Sequence, residues 1–351
     1  TLVMYLSLAM PAWAAEEAND VEINNYSNLT ISENTINLIC QNAKEAIKEE
    51  RTNKINTPSS RSVDNERTYT YYTNDENYIY VYEEANGLKS TMTIYDAPKD
   101  SEIEIFMVEQ LLNNLQNSIM PMGLFDPGIG GKQTITKTGS AGSYFTTKVT
   151  LPTTSQVSDP NYAYIYGSFS KSNDYEADFG MLYSNTNGPD KQQYAWRIYA
   201  NLVRYIPNGN NSYWQKLSME LTDKAASYRN GYKPGTDVNM SIWYNNNKKT
   251  KLVLEGTTIC PTHEGTELKD TQNTSIYESS ALWNIPSIDY FKVCATITSG
   301  KTGKNYAIFD NIKVDNVPVT SASYYPNPSK EKANVTRTSN TVIINVNSSI
   351  Y

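Results

Sequence analysis

From about residue 129 onward the chain alternates apolar and polar positions with a period of two. The clearest run is Tyr162–Phe169. Ala163, Ile165, Gly167 and Phe169 fall on one side of an extended chain, and Tyr162, Tyr164, Tyr166 and Ser168 on the other. Comparable runs occupy Lys132–Thr138, Tyr144–Leu151, Ala177–Tyr183, Tyr194–Tyr205, Asp237–Tyr244, Lys251–Glu255, Tyr290–Thr298 and Tyr306–Val314. The turn-forming stretches NGPD, NGNN and KPGTD separate several of them. Many short strands with few helices predict a mainly β fold, a jelly-roll or lectin-like β-sandwich over residues 131–320. Residues 321–351 add a proline-containing linker and a terminal hairpin within Val335–Val346.

Upstream, the apolar period lengthens to that of a helix. Ile36, Ile39, Cys40, Ala43 and Ile47 form one stripe beginning near Glu33. Three tyrosine-rich strands follow, Thr68–Thr73, Tyr78–Glu83 and Lys89–Tyr95, with Asn86-Gly87 as the last hairpin signal. Ser101 and Glu104 make a capping-box pattern for a second helix reaching Ser118. Residues 33–120 therefore predict a small α+β unit, joined to the sandwich by a Pro/Gly-rich linker at 121–130. Residues 15–32 are polar and aperiodic and predict a loose leader. Residues 2–15, LVMYLSLAMPAWAA, are too short an apolar run to span a bilayer and end in the small-x-small pattern Ala12-Trp13-Ala14. They predict the remnant of a signal peptide over residues 1–14, and hence a secreted protein. No later stretch is long and apolar enough for a membrane span.

Composition sharpens this picture. Of 351 residues, 28 are Tyr against seven Phe, and mean hydropathy is −0.56. Tyrosine joins an apolar body to a polar tip, which suits half-wet sheet faces and surfaces that meet sugars. The net charge is −7 without a long Lys/Arg run, which argues against a nucleic-acid partner. Of three cysteines, Cys260 and Cys294 lie in the β-rich part and are the disulfide candidates, with three buried free thiols as the alternative.

In their order and spacing, GIGGK, YFTTKVTLPTTSQVS, AYIYGSFS, ADFGMLYS, YKPGTDVNMSIWYN, YFKVCATITSG, FDNIKVDNVPVT and VTRTSNTVIINV resemble the YrpD-like secreted bacterial proteins. The resemblance covers residues from about 128 to the end and omits the helical unit. It implies secretion and an all-β lectin-like module, and it carries no catalytic residue across.

Four groups of residues could carry chemistry. On Asp237–Tyr244, Asn239, Ser241 and Trp243 share a polar face whose ring could stack on a pyranose. Tyr194 and Trp196 form a second candidate platform, and Tyr164 and Tyr166 a third. Glu176 and Asp178 share one side of a strand and would be the acid and the nucleophile or base of a glycan-cleaving enzyme. Their E-x-D spacing is similar to the E-x-D-x-x-E strand of laminarinase-type hydrolases, with Met181 in the third carboxylate position. Asp310, Asp315 and Asn316 are hard oxygen ligands that would suit Ca2+, or else turn residues. His263, the single histidine, sits in a polar loop and is expected to be solvated. No cofactor is required by any of these readings. The leading expectation is a non-catalytic module for extracellular polysaccharide or cell wall. The alternatives are a glycan-cleaving enzyme using Glu176 and Asp178, and a structural matrix or spore-surface protein.

Overall fold

The computed structural model describes residues 21–28, 30–55, 67–85, 87–97, 128–136, 144–158, 163–171, 174–185, 194–206, 213–221, 230–259, 270–279, 285, 287–298 and 302–350. The expected signal segment, the second helix at 101–118, Cys260 and His263 lie outside them. The order is β1 (Val21–Asn25), α1 (Glu33–Ile55), β2 (Thr68–Asn74), β3 (Tyr78–Ala85), β4 (Ser90–Asp96), β5 (Ile129–Thr136) and β6 (Tyr144–Thr150). Then come β7 (Ala163–Lys171), β8 (Tyr175–Asn185), β9 (Tyr194–Ile206), β10 (Tyr213–Glu220), β11 (Asp237–Asn246) and β12 (Lys249–Thr258). The chain continues through β13 (Thr271–Glu278), β14 (Tyr290–Ile297), β15 (Lys304–Val314), β16 (Val317–Pro318), β17 (Ser329–Glu331), β18 (Ala333–Arg337) and β19 (Val342–Asn347).

The strands form two sheets. The larger runs β1-β4-β3-β2-β13-β12-β11-β6-β15-β19-β18, with β16 beside β15; the smaller runs β10-β9-β8-β7-β14-β5-β17. All pairings are antiparallel except β1 with β4 and β2 with β13. The alternating apolar positions meet between the sheets: Val238, Met240 and Ile242 of β11 and Phe145 and Val149 of β6 share one core with Ile165 and Phe169 of β7 and Phe179 and Met181 of β8. The sheets approach closely at Gly167, where an added Cβ would lie 2.7 Å from Ile242 Cδ1. The expected β-sandwich is present.

Two boundaries differ from the sequence reading. Residues 21–25 are not a loose leader. They add a parallel edge strand to β4, and a polar stretch can do so because only Val21 is buried there. Nor do residues 33–97 form a separate unit. β2 hydrogen-bonds to β13, so the tyrosine-rich strands extend the sandwich's larger sheet. On the outer face of that extension lies α1, whose Ile39, Cys40, Ala43, Ala46 and Ile47 pack on Tyr69, Tyr71, Tyr80, Tyr82, Met92, Ile94, Val253 and Ile276.

Lys251 fastens the end of this helix to the sheet. Its side chain is only 2% exposed, its Nζ lies 2.8 Å from Glu50 Oε1 and 3.4 Å from Glu49 Oε2, and it sits 5.6 Å from the Trp243 ring centroid. Burial draws its ammonium pKa down, but the two glutamates outweigh this and leave it raised. Replacing Lys251 by Ala should destabilise the protein by about 1–3 kcal/mol, because Glu50 stays under the helix without its partner. Hydrogen exchange should then accelerate in 45–55 before it does in β11.

Candidate functional site

The outer face of the seven-stranded sheet is unlike an ordinary solvated face. Because Ala163, Ile165, Gly167 and Phe169 turn inward, Tyr164, Tyr166, Ser168 and Ser170 turn outward. The same parity sends Glu176 and Asp178 outward from β8, Lys292 and Cys294 from β14, Tyr199 and Asn201 from β9, and Lys132 from β5. Strand register lines these residues up across the sheet. One row reads Lys132, Cys294, Tyr166, Gly180, Tyr199, Glu220. The next reads Thr134, Lys292, Ser168, Asp178, Asn201, Ser218. Glu176 lies in the third row, between Ser170 and Val203.

The floor of this trough is buried although it is polar. Lys292, Ser168, Cys294 and Thr296 are fully buried and Lys132 is 4% exposed, whereas Glu176, Asp178, Tyr164, Tyr199, Asn201 and Glu220 remain half-buried. Lys292 Nζ donates to Glu176 Oε1. Burial works against the Lys292 charge, but Glu176 and Asp178 hold its pKa well above the ordinary lysine value. Lys132 goes the other way: burial, then the neighbouring Lys292 charge, lowers it.

Along the other side runs an aromatic wall. The Tyr164 and Tyr199 rings meet edge to face at 4.9 Å, and Tyr166 lies 6.5 Å from Tyr199. Tyr164 donates to Glu220 Oε1 at 2.9 Å, and Ser218 Oγ to Asn201 Oδ1 at 3.0 Å. Gly180 sits beneath the rings. An added Cβ there would fall 2.2 Å from the Ile165 carbonyl oxygen and 2.5 Å from Tyr166 Cα, so only glycine lets β7 and β8 approach this closely.

At the centre, Asp178 Oδ1, Ser168 Oγ and Thr296 Oγ1 are buried and have no hydrogen-bond partner among the described residues. Such atoms cost roughly 1–3 kcal/mol each when left unpaired, and native folds keep few of them. Burial, with the Glu176 charge adding to it, pushes the Asp178 carboxyl from 3.8 up to about 6; Lys292, Ser168 and Lys132 limit the rise. Cys294 is pushed up to about 12 by burial and is a free thiol.

The residues singled out from the sequence thus scatter to four places. Tyr164, Tyr166, Glu176 and Asp178 come together in the trough. Tyr194 and Trp196 point the opposite way, between the sheets. Trp196 is 0% exposed, 5.1 Å from the Tyr183 ring, so it is core and not a platform for a ligand. Its parity with Ile198, Ala200 and Leu202 was the signal. Asn239, Ser241 and Trp243 are on the outer face of the other sheet, with Trp243 stacked on Tyr144 at 5.5 Å beside α1. Cys294 stands mid-strand as a thiol facing the trough, and Cys260, its candidate disulfide partner, lies outside the described residues.

Asp310 lies at the irregularity in the β15–β6 pairing, and Asp315 and Asn316 in the turn that follows β15. Asp310 accepts from Thr341 at 2.7 Å and pairs with Lys148 at 3.7 Å. Asp315 and Asn316 take φ of 49° and 65° in the β15–β16 turn, where Asp315 Oδ1 caps Tyr144 N–H at 3.1 Å. No group of three or more His, Cys, Asp or Glu suited to a metal occurs among the described residues. Conversely, Lys132, Lys292, Tyr199 and Glu220 were not singled out from the sequence. Lysine in the middle of the apolar strand YFKVCATI was the available clue.

Residues 124–346 match the family described as "Domain of unknown function, YrpD". The chain belongs to this family. The match takes in both sheets' sandwich strands and the trough, and leaves out β1–β4 and α1. A relative from Bacillus subtilis (strain 168), "Uncharacterized protein YrpD", is 28% identical over 233 residues, which is 62% of this chain and 81% of the relative. Among solved structures, a scytalido-glutamic peptidase with a peptide-based transition state analogue is similar at 9% identity and a TM-score of 0.33. It covers 62% of this chain and 97% of its own. SCP-B, a member of the eqolisin family of peptidases in a complex with Ala-Ile-His, is similar at 10% identity and a TM-score of 0.30, covering 62% and 96%. No helix of the described residues is long and apolar enough to cross a membrane.

Proposed function

We propose that this protein binds an extracellular or cell-wall glycan in the trough on the seven-stranded sheet. One observation carries the reading: an aromatic wall of Tyr164, Tyr166 and Tyr199 faces hydrogen-bonding groups that the fold buries without partnering. Sugar rings present an apolar face and a rim of hydroxyls, and the trough offers a matching counterpart to each. Asn201, Ser218, Glu176 and Glu220 supply acceptors along its open side. The polar rows run across six strands, which gives the length that several linked sugars need, at about 4.8 Å per strand.

The test is retention on insoluble polysaccharides, including isolated cell walls. Wild type should be retained. Tyr199→Ala and Tyr164→Ala should each weaken retention about tenfold, equivalent to roughly 1.4 kcal/mol. Trp243→Ala, on the opposite face of the molecule, should leave it unchanged. Loss of retention in Trp243→Ala with none in Tyr199→Ala would move the site to the other sheet and end this reading.

A further inference from the structure

We propose that the trough also cleaves the glycan it holds, Asp178 giving the proton and the Lys292-bound carboxylate of Glu176 facing the sugar's developing positive charge. The proposal rests on the binding reading above. It starts from placement. Glu176 and Asp178 are two residues apart on one face of β8, about 6.6 Å along the strand, with half-buried access from the open side of the trough.

Their surroundings differ. Glu176 is ion-paired with the ammonium of Lys292. Asp178 has one oxygen buried without a partner among the described residues. The charged groups that face Asp178 are Glu176 on its own strand, Lys292 on β14 and Lys132 on β5. Ser168 on β7 and Asn201 on β9 are its neutral cross-strand neighbours. Burial leads this balance and keeps the proton on Asp178 at mildly acidic pH. A proton-bearing carboxyl beside a second carboxyl that is paired with an ammonium matches the two roles that glycoside hydrolysis needs.

The step balances without a further reagent. Protonated Asp178 transfers its proton to the glycosidic oxygen as the C1–O bond breaks, and that oxygen keeps the bonding electrons. Glu176 stabilises the cation at C1. Water then forms the new C1–O bond and its proton returns to Asp178, so one water is consumed and both carboxyls are restored.

The experiment uses the full chain and the polysaccharides that retain it, with release of new reducing ends followed from pH 4 to 8. Wild type should release them, at a rate that falls as pH rises through about 6. Asp178→Asn should lower the rate by roughly 10²–10⁴-fold, while retention changes by less than tenfold and circular dichroism shows a folded sheet. Glu176→Gln should lower the rate and shift its pH midpoint downward, because the Glu176 charge helps to hold the proton on Asp178. Wild type that is retained but releases nothing overturns cleavage and leaves binding standing, as does Asp178→Asn with full activity. Wild type that is neither retained nor active removes both.

Discussion

Trp196→Ala should cost the protein about 3–5 kcal/mol of stability, the largest single loss expected of any substitution considered. The indole is fully buried between the sheets, against Tyr183 at 5.1 Å, in a core that includes Ile198, Ala200 and Leu202 from its own strand. Truncation removes a large apolar contact surface and leaves a void that a strand paired on both sides cannot collapse to fill. Trp196 also exchanges two backbone hydrogen bonds of 2.9 Å with Tyr232, which tie β9 to the segment before β11. Those bonds survive truncation, so the loss should appear in the urea midpoint and not as a change in sheet content. A ligand platform would behave in the opposite way, losing binding while its stability hardly moved.

The second large effect is a gain. Asp178→Asn should stabilise the protein at pH 7 by up to about 3 kcal/mol while removing its acid. A carboxyl lifted from 3.8 to about 6 holds its proton in the folded state at pH values where the unfolded chain has already lost it. Protonation therefore favours the folded state at low pH, and that contribution disappears as pH rises through about 6. A lift of about two pH units at roughly 1.4 kcal/mol per unit sets the ceiling. Wild type and Asp178→Asn should accordingly unfold at similar urea concentrations near pH 4 and separate as the pH approaches 7. Parallel pH dependences would mean that Asp178 is not held neutral by its surroundings. A group that destabilises its own fold is commonly one kept for chemistry.

How much of this could be read from the chain depends on where each residue's partners lie. In β11, polar residues alternate with Val238, Met240, Ile242 and Tyr244, so both the strand and its buried side were plain. β9 carries rings on both sides, Trp196 inward and Tyr199 outward, and composition alone could not tell the wet ring from the dry one. β13 was missed because it buries Asn273, Thr274 and Ser275, where Asn273 donates to Ser275, Tyr232 donates to Ser275 and Arg67 donates to Thr274. The trough was half legible. The outward parity of Tyr164, Tyr166, Glu176 and Asp178 followed from period two. Lys292 reaches Glu176 across 116 positions of sequence, and only the order β8-β7-β14-β5 brings them together.

The parallel seam between β2 and β13 has a consequence for any attempt to treat the first hundred residues as dispensable. Excising them would strip β13 of hydrogen bonds along residues 273–277 and uncover Val253 and Ile276 as α1 left. The remainder would carry a raw flank of unmet amides beside bare aliphatic carbon, an invitation to stack with its own copies. Self-association of such a fragment would then report a wound made by the scalpel, and would say nothing about how the intact protein assembles.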